Sequence, residues 1–140
     1  QKKNMVRIID YKTGKPDEHL KKISAHRDLR SEECDGYLRQ LVCYKLLYEK
    51  DRAQSRGKIA SHGVLVFIEP LSADIRKLSL DKGAYISLPV QISEEMVAEM
   101  EEIIKDTWRN IKSLRFEKFA KRDEEKCGKC DYDDICWSSS

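Results

Sequence analysis

The chain has 140 residues, 40% of them hydrophobic and 37% charged, with 27 Lys and Arg against 25 Asp and Glu. That length supports one core of ordinary size and argues against two full domains, and a net charge of +2 is too small to imply a nucleic-acid partner by itself. No apolar run approaches the length of a bilayer span and no signal-peptide pattern is present, so a cytoplasmic protein with no membrane partner is expected.

The chain opens on "QKKNM" and runs at once into "VRII". A strand that starts so abruptly is expected inside a domain, so the sequence reads as a piece of a longer protein. Val6 to Lys12 alternates loosely and ends at Thr13-Gly14-Lys15-Pro16, which predicts a short strand and a turn. Residues 17–35 are strongly charged without a clear period and predict a solvated loop or a frayed helix start. His19 and His26 there, and His62 further on, read as solvated loop residues. The basic spots Lys21, Lys22, Arg27 and Arg30 read as a soluble surface or a path for DNA. From Gly36 the apolar residues Leu38, Leu41, Val42, Leu46 and Leu47 recur at helical spacing, predicting a helix from Tyr37 to about Lys50. They nearly encircle it, which predicts burial on more than one side.

"HGVLVFIEP" is a continuous apolar run stopped by Pro70, the form of a strand covered on both faces. "DIRKLSL" and "AYISLPVQI", joined across "DKG", complete a predicted three-strand meander. Ser93 then opens a helix, with Glu94 and Glu95 in its first turn. Its stripe of Val97, Met100, Ile104, Trp108 and Ile111 is expected to pack on the sheet. The expected organisation is a core over residues 1–120, followed by a charged linker and Cys-rich tail over 121–140. Five cysteines are present. Cys34 and Cys43 read as free thiols on or near a helix. Cys127, Cys130 and Cys136 cluster as an incomplete metal site, whose spacing suits zinc as well as iron and sulfur.

Asp10 and Lys12 lie at i and i+2, so both project from one face of a strand. A carboxylate there can hold a hard cation such as Mg²⁺, and the neighbouring ammonium can orient water or offset negative charge on a phosphate. Taken alone, Asp-x-Lys reads as a surface ion pair worth roughly 0 to 1 kcal/mol rather than as a metal site. Gln40 and Tyr44 share one face of an otherwise apolar helix, which needs polar partners if that face is buried. In the simpler reading Gln40 caps a loop and Tyr44 borders the core.

"IIDYKTGKP", then "LRQLVCYKLLYE", then "CGKCDYDDIC" resemble, in that order, the PD-(D/E)XK nuclease superfamily. More closely they resemble the RecB/AddB-type nuclease modules at the C-terminal ends of helicase-nucleases, including UvrD-like helicases. The resemblance implies an α/β, restriction-endonuclease-like fold, a small mixed sheet flanked by helices with an incomplete core. It implies a metal-dependent DNA nuclease, an exonuclease rather than a site-specific endonuclease, within an ATP-dependent helicase-nuclease of DNA repair and recombination. By the same resemblance Asp10 is the acidic metal ligand, Lys12 the catalytic lysine and the Tyr11 carbonyl a further ligand. Gln40 and Tyr44 match the Q-x3-Y motif beside the active site. Cys127, Cys130 and Cys136 match three of the four thiolates of a [4Fe–4S] cluster. The implied cofactors are Mg²⁺ or Mn²⁺ and the cluster, with zinc as the alternative. The implied partners are DNA ends or single strands and helicase motor domains, in cis or as a separate subunit.

Such modules also carry an upstream aspartate, a His or Glu on a preceding helix, and an earlier cysteine, none of which is in this sequence. One carboxylate and a carbonyl fall short of the oxygen set Mg²⁺ requires, and three thiolates leave a cluster one ligand short. The 140 residues alone are therefore expected to be inactive, to hold neither cofactor and to self-associate through an open strand edge. Two competing expectations are a non-catalytic DNA-binding module that keeps the fold, and a zinc-tail interaction module in which Asp-x-Lys is coincidental.

Overall fold

A computed structural model of the chain describes residues 4–14, 16–68, 86–115 and 120–137. Strand β1, Met5–Lys12, alternates strictly: Val6, Ile8, Asp10 and Lys12 are half-buried while Met5, Arg7, Ile9 and Tyr11 are exposed. The next segment is not a loop, since Asp17–Ala25 forms helix α1. Pro16, with φ −74°, is already set for a helical turn, and its carbonyl accepts from the Leu20 N–H at 3.0 Å. Among the described residues from 19 to 35, Ile23, Leu29, Cys34 and Asp35 are buried. The charged residues fill the outer faces, which is why no period is legible. Arg39 pins the following turn by donating to the Leu29 carbonyl at 2.8 Å.

Helix α2, Gly36–Lys50, is capped by Asp35, whose side chain accepts from the Tyr37 N–H. Leu38, Leu41, Val42, Lys45 and Leu46 are buried, whereas Tyr44 and Leu47 are exposed. The helix therefore buries one broad face, not several. A short helix α3, Arg52–Ser55, ends in two left-handed residues, Arg56 and Gly57, that turn the chain into β2, Ile59–Phe67.

Strand β2 runs parallel to β1, with Asp10 opposite Leu65 and Lys12 opposite Phe67, and a bulge lies between Val6 and Arg7. Strand β3, Ile86–Val90, pairs antiparallel with β2 from Gly63↔Val90 to Phe67↔Ile86. The order is β1-β2-β3. The expected meander is thus corrected, since "AYISLPVQI" pairs directly with "HGVLVFI" and β1 takes the other side of β2. "DIRKLSL" and "DKG" lie outside the described residues. With both edges bonded, β2 is the central strand, which accounts for its continuous apolar run.

The core joins Leu38, Leu41, Val42 and Leu46 of α2 to Leu65 and Phe67 of β2, Val90 of β3, and Met96, Val97 and Met100 of helix α4, Glu94–Lys112. Ser93 caps α4 as expected, its Oγ accepting from the Met96 N–H at 3.3 Å. The stripe on α4 meets the core only in its first half: Ile104, Trp108 and Ile111 are exposed. Nineteen residues span roughly 28 Å, well beyond the roughly 16 Å of five-residue β3. The chain forms two compact units, Gln1–Lys105 and Asp106–Ser140. Within the second, two short helices, α5 at Glu124–Cys127 and α6 at Asp133–Trp137, frame the cysteines. No helix among the described residues is long and apolar enough to cross a membrane.

Candidate active site

Asp10 and Lys12 face α2, on which Gln40 and Tyr44 stand four residues apart. Lys12 Nζ donates to Gln40 Oε1, and Gln40 Nε2 donates to the Tyr44 hydroxyl at 2.7 Å. The amide is thereby oriented, oxygen toward the strand and nitrogen toward the tyrosine. Two i,i+2 and i,i+4 pairs thus become one line of contacts from β1 to α2. Lys12 Nζ also lies 2.8 Å from Asp10 Oδ2, with the two side chains 11% and 15% exposed. That ion pair is close in distance but off the direction of a hydrogen bond, and Asp10 Oδ2 is a buried oxygen without a hydrogen-bond partner among the described residues. Burying it is costly unless a cation meets it, and the Lys12 ammonium does so at 2.8 Å.

Close approach of α2 depends on Gly63. A Cβ there would stand 2.9 Å from Leu41 Cδ1, so a bare backbone lets α2 lie close to the sheet. Leu41 is the neighbour of Gln40, and its seat helps to set the reach of the amide.

Three further residues enter the site that no motif indicated. The Tyr37 ring lies beneath Lys12 Nζ, 4.0 Å from its centroid. His19 is not a loop residue: it sits on α1 and stacks on Tyr37 with centroids 4.1 Å apart. Its Nδ1 is 2.7 Å from Oδ2 of Asp35, a nearly buried carboxylate. Two sequence signals pointed this way: Asp35 occupies an N-cap position, and Tyr37 precedes Gln40 by three residues on one helix face. His62 also departs from expectation, lying half-buried on β2 beside the Ser61 hydroxyl. Arg27 is exposed and donates to the Gln91 carbonyl and Met96 Sδ.

The family model described as the PD-(D/E)XK nuclease superfamily matches residues 1–137. The chain belongs to the PD-(D/E)XK nuclease superfamily. No curated protein and no solved structure matches it. The small mixed sheet flanked by helices is the restriction-endonuclease-like α/β arrangement, and membership gives the chain a nuclease, phosphodiester-hydrolysing character with nucleic acid as substrate.

PD-(D/E)XK nucleases use Mg²⁺ or Mn²⁺, and two oxygens beside Lys12 fit such an ion. One is Asp10 Oδ2, which accepts no directed hydrogen bond among the described residues. The other is the Tyr11 carbonyl. Because the Lys12 carbonyl accepts from Ile68 N–H on the β2 side, the carbonyl one residue earlier points to the opposite edge of β1. Both are hard donors, and Mg²⁺ commonly completes its shell with waters and substrate phosphate. The cysteines fit less well. Cys127 is buried, Cys130 exposed and Cys136 half-buried, and among the described residues no three potential metal-ligating side chains gather into a site. A fork from Arg122 to Asp133, at 2.9 and 2.7 Å, ties the chain around them and holds the Asp133 carboxyl below its usual range.

A groove of about 450 Å³ opens elsewhere, at the Ile59 end of β2, lined by Glu49, Arg52, Lys58 and Glu94. It contains none of the Asp-x-Lys or Gln-x3-Tyr residues. Beside it Lys45 is buried, 2.6 Å from Glu49 and 3.1 Å from Glu94. Burial pulls the Lys45 ammonium toward deprotonation, but hydrogen bonds to both carboxylates outweigh it and raise its pKa. Glu49, whose Oε1 also accepts the Ala60 N–H, ties it to the start of β2, which marks a structural ion cluster.

Proposed function

We propose that Asp10, Lys12, Gln40 and Tyr44 form the catalytic centre of a metal-dependent DNA exonuclease, in a RecB/AddB-type module serving a helicase motor in DNA repair and recombination. The observation that carries the reading is the continuous contact line Asp10–Lys12–Gln40–Tyr44, built from two elements far apart in sequence. Asp10 Oδ2 and the Tyr11 carbonyl would hold Mg²⁺ or Mn²⁺. When bound, the ion supplies Lewis-acid polarisation of the phosphodiester and an activated water.

The protein's own groups do the rest. Lys12 presents an ammonium at the sheet surface, where negative charge grows on the phosphate oxygens, and gives it electrostatic relief. Gln40 fixes that ammonium in place and Tyr44 fixes Gln40. Burial of Asp10 and Lys12 limits water around them and strengthens each interaction. Cys127, Cys130 and Cys136 would give thiolates to a [4Fe–4S] cluster, or to zinc, that closes the tail; no step of hydrolysis passes through it.

The test is digestion of end-labelled DNA by the full-length protein with Mg²⁺. Asp10→Ala and Lys12→Ala should abolish digestion while thermal melting and any ATPase rate stay near wild type. Digestion by Lys12→Ala at the wild-type rate would overturn the assignment.

A further inference from the structure

We propose that Tyr37 is a positioning residue for Lys12, and that Asp35 and His19 hold its ring in place; this rests on the catalytic reading of Lys12 given above. A lysine ammonium is a strongly hydrated point charge on a four-carbon stem, and it wanders unless it is met from several sides. Asp10 and Gln40 meet it with oxygen atoms. Tyr37 meets it with a π face, 4.0 Å away. An aromatic face attracts the cation without accepting its protons, so it confines the ammonium yet leaves N–H groups free for a phosphate.

The ring is itself held from three directions. Asp35 Oδ1 accepts the Tyr37 N–H at 2.8 Å, fixing the backbone at the start of α2. Asp35 Oδ2 pairs with His19 Nδ1 at 2.7 Å, and His19 stacks on the ring at an interplanar angle of 29°. The hydroxyl end reaches the turn after Lys12, where a Cβ on Gly14 would meet it at 3.6 Å. One carboxylate, 3% exposed, thus orders both the tyrosine and the imidazole that stacks on it. Elements β1, α1 and α2 all meet at the lysine through this clamp.

The decisive comparison uses the full-length protein with Mg²⁺ and DNA. Tyr37→Leu should lower kcat about tenfold with little change in KM or melting temperature, whereas Tyr37→Phe, which keeps the face, should retain kcat. Fluorinated phenylalanines at position 37 keep the shape and weaken the face, so kcat should fall stepwise with fluorination even if Tyr37→Leu does not fold. The Lys12 ε-methylene protons should be shifted upfield by the ring in wild type and Tyr37→Phe, and lose that shift in Tyr37→Leu. A flat fluorination series, equal losses in Phe and Leu variants, or no upfield shift would overturn the proposal. Wild-type digestion by Lys12→Ala would instead sink the nuclease reading, while the proton shift would still decide the ring contact.

Discussion

Lys12 on β1 donates its proton to Gln40 Oε1 on α2, across 28 residues of sequence. Each residue taken alone is unremarkable: the strand has a lysine at its end and the helix a glutamine on its flank. Joined, they place an amide, a phenol, an ammonium and the buried carboxylate oxygen paired with it along one seam between sheet and helix. An ion pair at a solvated strand end has no need of such a scaffold. This separates a held lysine from the surface pair that Asp-x-Lys alone suggests.

Gln40→Ala should lower DNA digestion about tenfold, because it removes one hydrogen bond that places Lys12 but leaves the metal-facing oxygens untouched. Tyr44→Phe deletes only the hydroxyl that receives Gln40 Nε2, and should cost about threefold. Single-turnover rates on the same DNA will rank the variants. A Gln40→Ala loss as complete as that of Asp10→Ala, with folding intact, would give the amide a more central part than positioning.

The short-range pairs were legible because strand and helix periods of two and four put each pair on one face. Their meeting was not, since it depends on how α2 is seated on the sheet. Helix α1 was hidden because charges on its outer faces swamp the few core contacts made by Ile23 and Leu29. The Tyr37 clamp was hidden for a different reason: it draws on β1, α1 and α2 at once, and Asp35 falls in the charged stretch 17–35 that carries no clear period. Alternation likewise marked β3 as a strand, but turn chemistry across "DKG" gave it "DIRKLSL" as its neighbour, whereas it pairs with β2.

Gly63→Ala should destabilise the protein by about 1–2 kcal/mol, because the added methyl would lie 2.9 Å from Leu41 Cδ1 and 3.3 Å from Ile92 Cδ1 in a filled core. Relief comes only if Leu41 changes rotamer or α2 moves outward. Leu41→Val trims the side chain at the point of conflict, so the double variant should be less destabilised than the sum of the two single ones. Urea denaturation of the four proteins completes the cycle. Strict additivity would place the conflict away from Leu41, and with it the control of how closely α2 approaches.

The last prediction concerns Lys45, a fully buried ammonium whose protons go to Glu49 at 2.6 Å, Glu94 at 3.1 Å and the Ala60 carbonyl at 3.1 Å. Glu49 Oε1 also accepts the Ala60 N–H at 2.9 Å, so one carboxylate serves both the charge and the start of β2. Glu49→Ala removes the acceptor shared by Lys45 and the Ala60 N–H and leaves a buried cation with the Ala60 carbonyl and the exposed Glu94, at a cost of roughly 3 kcal/mol. Lys45→Met removes the charge itself and fills the space with an apolar chain, so it should cost no more than about 1 kcal/mol. The raised folded-state pKa of Lys45 fixes the pH dependence. Stabilisation by its charge is fully present below the pKa of an unfolded lysine and fades only as pH rises through the higher folded value. The wild-type contribution of Lys45 should therefore stay constant across neutral and mildly alkaline solution. Denaturant midpoints for wild type and both variants at several pH values test this, and a Lys45→Met loss larger than that of Glu49→Ala would show that the ammonium contributes net stability rather than balancing its own burial.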